Sequence, residues 1–175
     1  MTGKEKTKRL TVCAMLAALG VVLLWLGSMI EVLDISMSVI ASLFCVFAVI
    51  EYGSGASWMV FGVTSVLSLI LLPSKAPAAM YVLFFGYYPI IKEKLERHPR
   101  LVSWIIKEII FNVALVAMLL LSHLLLFPGI AFGSMLYYYA GLALIAEVVF
   151  PIYDVALTRL ITVYLFRLRK RFRFK

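Results

Sequence analysis

Two carboxylates in a strongly apolar segment are the first residues whose type and spacing could do chemistry. Glu147 precedes Asp154 by seven residues, so on a helix the two side chains lie within about 20° of each other. An ionisable side chain inside a membrane span is costly and usually has a function. Glu147 could contact a polar solute, or it could hold helices together by pairing with Lys107 or Arg159. Both interpretations stay open, whereas Asp154, beside Arg159, is interpreted as structural.

Other polar side chains occupy the same apolar part of the chain. Asn112 and His123 are eleven residues apart, a spacing that returns to nearly the same face of a helix. Tyr137 and Tyr139 precede Glu147 in its own segment. We expect these side chains to point into a helical bundle, where a few polar groups among apolar and aromatic walls are typical of a small-molecule pocket.

A second polar and aromatic group surrounds the short segment 73–77. Lys75 lies in this segment, and Tyr81, Phe84 and Phe85 follow it. Charged loop residues are usually just solvated, and aromatic residues near a membrane surface usually form an interfacial belt. The same combination could also line a small-molecule pocket.

The sequence lacks the motifs of the common enzyme classes. GxxxxGK[ST], HExxH, CxxC and GxSxG do not occur in it. Cys13 and Cys45 lie in apolar segments and are interpreted as small buried hydrophobic residues. The sequence therefore predicts no enzyme activity, no metal site and no cofactor, and any step driven by ATP would need a partner protein.

The composition indicates what kind of protein must position these residues. Of the 175 residues, 64% are hydrophobic and 15% are charged, and the mean hydropathy is +1.04. Soluble domains are about 45 to 50% apolar and about 25% charged. Several uncharged stretches approach the roughly 20 residues of a helical span, without the alternation of a barrel strand. The predicted fold class is therefore an all-α membrane protein.

Charged residues and Pro/Gly clusters divide the chain into six predicted transmembrane helices joined by short loops. Short loops make neighbouring helices antiparallel, so we expect one compact bundle. The single predicted domain consists of a basic N-terminus (1–9), the bundle (10–166) and a basic tail (167–175). The predicted spans are 10–30, 35–50, 56–72, 78–91, 104–127 and 131–153.

The positions of Lys and Arg predict the orientation, because cytoplasmic loops carry the excess of these residues. With the N-terminus inside, the basic segments 1–9, 92–100 and 167–175 are cytoplasmic, and Lys75 alone lies outside. This predicts a multi-pass cell-membrane protein with both termini in the cytoplasm. The tail RLRKRFRFK is interpreted as a topology determinant that contacts anionic lipid, and not as a nucleic-acid site.

The first predicted helix contains the unusual run CAMLAALG at residues 13–20. Ala14 and Ala18 are four residues apart and share one helical face. Small residues at this spacing let two helix backbones approach closely within a membrane. The face could meet a partner helix, or it could serve packing inside the bundle.

With this motif, the chain resembles the substrate-binding S component of an energy-coupling factor (ECF) transporter. The shared features are the basic N-terminus, AMLAA in the first helix, six short-looped spans and both termini inside. The resemblance implies that Ala14 and Ala18 match the AxxxA motif that faces the transmembrane T component. It further implies capture of a vitamin or similar micronutrient from outside, followed by toppling against the T component and two cytoplasmic ATPases. The implied outer substrate pocket comprises Lys75, Tyr81, His123, Tyr137, Tyr139 and Glu147.

Two other classes remain as alternatives. A non-transport protein could use a similar bundle, for example as a membrane scaffold of the cell-shape machinery or as a regulator. A stand-alone secondary transporter would predict two similar, broken halves, and the sequence shows no convincing internal repeat. Genes for two ATPases and a T component nearby would favour transport, whereas neighbouring cell-wall genes would favour the scaffold.

Overall fold

A computed structural model describes residues 3–97, 99–126 and 136–168 of the chain, and these residues form helices and short turns without any strand. This confirms the all-α class for the described residues. Five of the helices, α1, α2, α3, α6 and α7, are long and apolar enough to cross a membrane. The helices are α1 Gly3–Met29, α2 Asp34–Tyr52, α3 Ser54–Leu71, α4 Ala76–Met80, α5 Tyr88–Leu95, α6 Arg100–Leu126 and α7 Leu136–Val163.

The chain divides into two compact units, Met1–Met118 and Leu119–Lys175. Unit 1 contains α1 to α5 and most of α6, and unit 2 contains the last turns of α6 and α7. The single predicted domain and the cytoplasmic location of both termini stay predictions. The basic tail from residue 169 onward lies outside the described residues.

Small and hydroxyl-bearing side chains hold α1, α2 and α3 together in unit 1. Van der Waals contact and hydrogen bonds between helices, which small residues allow, are the forces that associate helices in lipid. The Ser57 hydroxyl on α3 donates to the carbonyl oxygen of Cys45 on α2 at 2.8 Å. The core cluster of unit 1 is Cys13, Ala17, Leu24, Ala41, Cys45, Ala48, Ala56, Val60, Leu72, Ala78 and Tyr81.

A single residue joins α2 to α3, where the predicted spans left residues 51–55 as the connection. Gly53 has a φ of 82° and a ψ of 171°, a combination that only glycine adopts readily. Its N–H bonds the carbonyl oxygen of Val49 and closes the last turn of α2. The tight connection makes α2 and α3 antiparallel neighbours, as the short loops predicted.

The fourth predicted span, 78–91, is a broken helix in the structure. Between α4 and α5 the backbone widens into a π-helical turn, Tyr81–Phe85, in which the Gly86 N–H bonds the Tyr81 carbonyl oxygen at 2.7 Å. A side-chain carbon on Gly86 would lie 2.6 Å from a ring carbon of Phe61, so only glycine fits here. Among the described residues, five helices have spanning length, and a sixth span at this place stays a prediction.

Two helix ends differ from those predicted. α1 begins at Gly3, so the basic residues assigned to an N-terminal segment belong to its first two turns. α7 continues through Pro151 to Val163, whereas the predicted span ended at residue 153. A proline inside a helix removes one backbone bond but does not have to end the helix when neighbouring contacts support it.

Candidate functional site

The small residues of α1 divide between two faces of the helix. Cys13, Ala17 and Gly20 are buried, whereas Ala14 and Ala18 are exposed. The division follows helix geometry, since neighbouring residues are about 100° apart around the axis. In the run CAMLAALG, the buried residues therefore pack inside unit 1. The exposed Ala14 and Ala18 remain available for a partner helix, so the two interpretations of the run apply to different residues.

The buried small residues allow α1 to approach α2 and α3 closely. The Thr64 hydroxyl on α3 lies 3.4 Å from the Ala17 carbonyl oxygen and donates to it. A side-chain carbon added to Gly20 would lie 3.2 Å from the Thr64 methyl carbon, and one added to Gly27 would lie 2.8 Å from Cβ of Met37. These residues have a packing role inside unit 1.

Ala14 and Ala18 form a notch on the outer surface of α1. The larger exposed residues Met15 and Val22, which are 61% and 53% exposed, stand beside it. A helix that only contacts lipid gains nothing from small residues on its lipid face, because lipid tails are as apolar as Leu. A notch of this kind fits the backbone of another helix.

Tyr81, one of the predicted pocket residues, is fully buried in the core of unit 1. Its hydroxyl oxygen lies 3.1 Å from the sulfur of Cys45 and forms a hydrogen bond with it. Its ring packs against Phe61 with a centroid distance of 5.9 Å. The structure thus gives Tyr81 a packing role, and a contact between Tyr81 and a solute stays a prediction.

The aromatic residues after Tyr81 also pack inward. The rings of Phe84 and Tyr88 lie 4.8 Å apart between centroids, and those of Phe84 and Phe111 lie 5.4 Å apart. Phe84 and Tyr88 are buried. Phe84 therefore packs in the interior of unit 1, and an aromatic pocket wall at this place stays a prediction.

Lys75 lies just after the C-terminus of α3. Its Nζ donates to the carbonyl oxygen of Leu72 at 2.6 Å. The last carbonyls of a helix have no partner within the helix, and a lysine ammonium satisfies them well because it also complements the negative end of the helix dipole. Lys75 therefore caps α3, and its contact with a solute stays a prediction.

The structure brings two of the predicted site residues of unit 2 together. Nδ1 of His123 on α6 lies 2.9 Å from the hydroxyl oxygen of Tyr139 on α7, at hydrogen-bonding distance. The two rings meet edge to face, with 5.8 Å between centroids. The buried phenol and the half-buried imidazole form a polar pair with both donor and acceptor capacity. This pair is the best-formed polar site among the predicted residues.

The remaining predicted residues of unit 2 have different surroundings. Tyr137 is 92% exposed, and Glu147 is half-buried. Among the described residues, Glu147 forms no ion pair with Arg159. Since Pro151 has no N–H, the Glu147 carbonyl oxygen also lacks its usual helical bond. Both oxygen-bearing groups of Glu147 can thus accept hydrogen bonds from a donor outside α7.

Asn112 and Asp154 can be compared with their sequence interpretations. The expectation that Asn112 points into the bundle is wrong, since its side chain is exposed and its Nδ2 donates to the Glu108 carbonyl oxygen, one turn earlier, at 3.1 Å. Asp154 is 5% exposed, which agrees with a structural role.

An ion-pair cluster in unit 1 was not predicted. Oε1 of Glu96 lies 2.9 Å from Nζ of Lys92 and 3.1 Å from Nζ of Lys107. Lys92 and Lys107 are buried, and the Glu96 side chain is 41% exposed. The four-residue spacing of Lys92 and Glu96 is typical of an ion pair on a helix and could have indicated this contact. For Lys107, the sequence indicated Glu147 as a partner instead of Glu96.

Comparison with protein-family models, with curated proteins and with solved structures finds no match to this chain. The resemblance to S components therefore rests on the chain itself, namely on its apolar segments and on Ala14 and Ala18. In chemical terms, the described residues offer an exposed pair of small residues on α1 in unit 1 and a polar group in unit 2.

Proposed function

We propose that the protein is the substrate-binding membrane subunit of an ECF-type uptake transporter for a vitamin or similar micronutrient. The observation that carries the proposal is the exposure of Ala14 and Ala18 on a helix whose small residues Cys13, Ala17, Gly20, Gly27 and Ser28 are buried. In this role the protein captures a solute from outside and couples to a T component and two cytoplasmic ATPases.

The notch on α1 supports the coupling step. The neighbouring face of the helix, about 100° around the axis, is fixed by Cys13 and Ala17, which pack in the core of unit 1. The face with Ala14 and Ala18 is free to receive a partner without any repacking of that core. A partner is also required by the chemistry, because the sequence has no phosphate-binding loop with which to use ATP itself.

The polar group of unit 2 supports solute capture. His123 and Tyr139 provide a paired imidazole and phenol, and Glu147 provides a carboxylate that forms no ion pair with Arg159. A few polar groups of this kind, set among apolar helices, are how small-molecule sites fix a ligand's orientation. Lys75 and Tyr137 belong to the proposal as residues that the S-component resemblance adds. The resemblance also adds Tyr81, but this buried residue has a packing role in the proposal.

The test of the coupling step is copurification with coexpressed T component and ATPases. Ala14→Trp and Ala18→Trp place an indole ring where two backbones must approach, so we expect both variants to lose the complex while melting within a few degrees of wild type. Leu26→Trp is the matched control, because Leu26 is exposed on the same helix about two turns beyond Ala18; it should keep the complex.

A different set of results would contradict the proposal. If Ala14→Trp and Ala18→Trp both retain the T component at wild-type yield, the notch is not the coupling surface. Ala17→Trp provides the reference for overpacking, since Ala17 is 1% exposed, and it should destabilise the protein by about 1 to 3 kcal/mol. A notch variant that melts as early as Ala17→Trp would show that the notch is an internal packing surface.

A non-transport scaffold or regulatory protein is the second candidate function. The surroundings of two implied pocket residues favour it. Tyr81 is buried in the core and Tyr137 is exposed, so neither side chain lines a pocket in the structure. Mass spectrometry of small molecules that copurify with the protein separates the two functions. A stoichiometric solute that disappears in Glu147→Gln supports transport, whereas copurified membrane scaffold proteins without a solute support the alternative.

A further inference from the structure

The contacts within unit 1 define two ends of its helices. Arg9 Nη2 lies 3.7 Å from the position of a side-chain carbon on Gly55, so α1 and α3 begin at the same end. The Ser38 hydroxyl near the start of α2 donates to the Pro77 carbonyl oxygen at 3.0 Å, which places the start of α4 at the opposite end. The broken helix then runs back, because the Tyr87 ring meets Phe61 halfway along α3 and α5 continues from there toward the end at which α1 and α3 begin.

Residues 92–97 therefore lie at the same end as the start of α1. The bond from Lys107 to Glu96 places the first turns of α6, from Arg100, there as well. We name this end of unit 1, formed by residues 3–9, 92–97 and 100, the basic end. Its two segments are far apart in sequence, and the broken helix is what brings the second of them to this side.

Positive charge dominates the exposed surface of the basic end. Glu93 pairs with Arg97 at 2.6 Å, and Glu96 is occupied by Lys92 and Lys107. Glu5, Glu51 and Glu108 are the other acidic residues nearby. The exposed basic residues outnumber the acidic ones; they are Lys4, Lys6, Lys8, Lys94, Arg97 and Arg100.

The length of α1 places these charges at the depth of lipid headgroups. α1 has 27 residues, which corresponds to about 40 Å, whereas the hydrocarbon core of a bilayer is about 30 Å thick. About two turns must therefore extend beyond the hydrocarbon, and the turns that carry Lys4 to Arg9 are the polar ones. Trp58 and Trp104, 42% and 43% exposed near the starts of α3 and α6, mark the same boundary, because tryptophan prefers the membrane interface.

We propose that the basic end binds the headgroups of anionic phospholipids. The two basic segments lie side by side at headgroup depth, next to exposed apolar helix surfaces that accept the acyl chains of the same lipids. Arginine binds phosphate through two parallel hydrogen bonds, and lysine attracts it as a point charge. A soluble polyanion would contact the charges but would leave the apolar surface uncovered, so a phospholipid fits this end better. The inference is independent of the transport function proposed above.

The tryptophans provide an internal reporter for the test. The full chain is reconstituted in phosphatidylcholine vesicles that contain phosphatidylglycerol, with bromine on the acyl chains of one lipid or the other. Trp25→Phe keeps Trp58 and Trp104 at the basic end. The double variant Trp58→Phe with Trp104→Phe keeps Trp25, which lies near the other end of α1. Bromine quenches a tryptophan that it contacts, so the two variants report which lipid surrounds each end.

At equal mole fraction, brominated phosphatidylglycerol should quench the basic-end tryptophans more strongly than brominated phosphatidylcholine does. Trp25 should show no such preference. Raising the salt concentration to about 1 M should reduce the preference, because the screening length falls to about 3 Å. Equal quenching by the two lipids at the basic end, or an equal preference at both ends, would overturn the proposal.

Charge variants identify the residues responsible. In the Trp25→Phe background, Lys94→Gln, Arg97→Gln and Arg100→Gln together should lower the relative affinity for phosphatidylglycerol about five-fold or more. Five-fold is about the effect of one basic residue near an anionic surface, so it is the lower limit for the three changes together. Lys94→Arg, Arg97→Lys and Arg100→Lys together keep the charge and should keep most of the preference. If the neutral variant keeps the wild-type preference for phosphatidylglycerol with an unchanged melting temperature, these three residues do not bind the lipid headgroups and the proposal is contradicted. If that variant fails to fold, Lys4→Gln, Lys6→Gln and Lys8→Gln repeat the test on α1.

Discussion

The Nζ of Lys107 donates a hydrogen bond to Oε1 of Glu96 at 3.1 Å, and this bond joins α6 to the end of α5. The same oxygen accepts the Lys92 ammonium at 2.9 Å. Glu96 thus neutralises part of the charge of two buried lysines while its own side chain reaches the surface. The bridge spans eleven residues and crosses the connection between two helices.

Glu96→Gln should destabilise the protein by about 1 to 3 kcal/mol, because hydrogen bonds to charged groups are strong and the two lysines stay buried after the change. Thermal unfolding in detergent measures the effect. Glu93→Gln is the matched control, since Glu93 forms a surface pair with Arg97, and it should cost no more than about 1 kcal/mol. An equal loss of unfolding free energy in the two variants would show that the buried bridge stabilises the protein no more than the surface pair does.

The positions of the helices could be predicted from sequence, but the contacts between them could not. Long apolar runs bounded by charges and Pro/Gly clusters locate α2, α3 and the end of α1 within a few residues, whereas α1 begins seven residues before the predicted span. The break in the fourth helix depends on the Phe61 ring, which fills the place of a Gly86 side chain, and no local pattern reveals that contact. In the same way, the rotation of α1 against α2 and α3 decides that Ala17 is buried and Ala14 exposed. The Glu96 bridge requires knowledge of which helices are neighbours.

Gly86→Ala should destabilise unit 1 by about 1 to 3 kcal/mol through overpacking. The new carbon would lie 2.6 Å from Phe61 and 2.8 Å from the Tyr81 ring, and both rings are held by packing. Gly62→Ala is the control, because nothing lies within 4 Å of that position on α3 and alanine favours a helix over glycine. Phe61→Leu should recover part of the loss in the Gly86→Ala background, and the absence of any recovery would contradict the steric explanation.

Tyr81→Phe tests whether this buried phenol serves packing or a solute. Removal of the hydroxyl breaks the bond to Cys45 but keeps the ring, so we expect a loss of about 0.5 to 1.5 kcal/mol in the free energy of unfolding. Tyr81→Ala should cost about 3 to 5 kcal/mol, as for other large buried side chains. The amount of any copurified solute should be unchanged in Tyr81→Phe. A depleted solute with unchanged stability would instead make Tyr81 a ligand-contacting residue.

The orientation of unit 1 can be measured by cysteine labelling in intact cells. A cysteine in place of Ser74 should react with a membrane-impermeant maleimide added outside, and a cysteine in place of Lys94 should react only after the cells are opened. The reason is the positive-inside rule, which assigns the basic end to the cytoplasm. The native Cys13 and Cys45 are buried and should give little background. The reverse labelling pattern would invert the proposed topology.

Glu147→Gln tests the polar group of unit 2. The carboxylate is half-buried and forms no ion pair with Arg159, so its neutralisation removes a charge without breaking a structural contact on α7. We expect the melting temperature without solute to stay close to that of wild type, while the amount of copurified solute falls at least about ten-fold, which corresponds to about 1.4 kcal/mol. Tyr139→Phe is the companion variant, because it removes the hydroxyl that faces His123 and should weaken solute binding less than Glu147→Gln. If Glu147→Gln unfolds the protein, the carboxylate holds helices together and the solute role fails for this residue. If it changes neither stability nor the copurified solute, Glu147 contacts neither a solute nor a helix, and the search for the pocket moves to His123 and Tyr139.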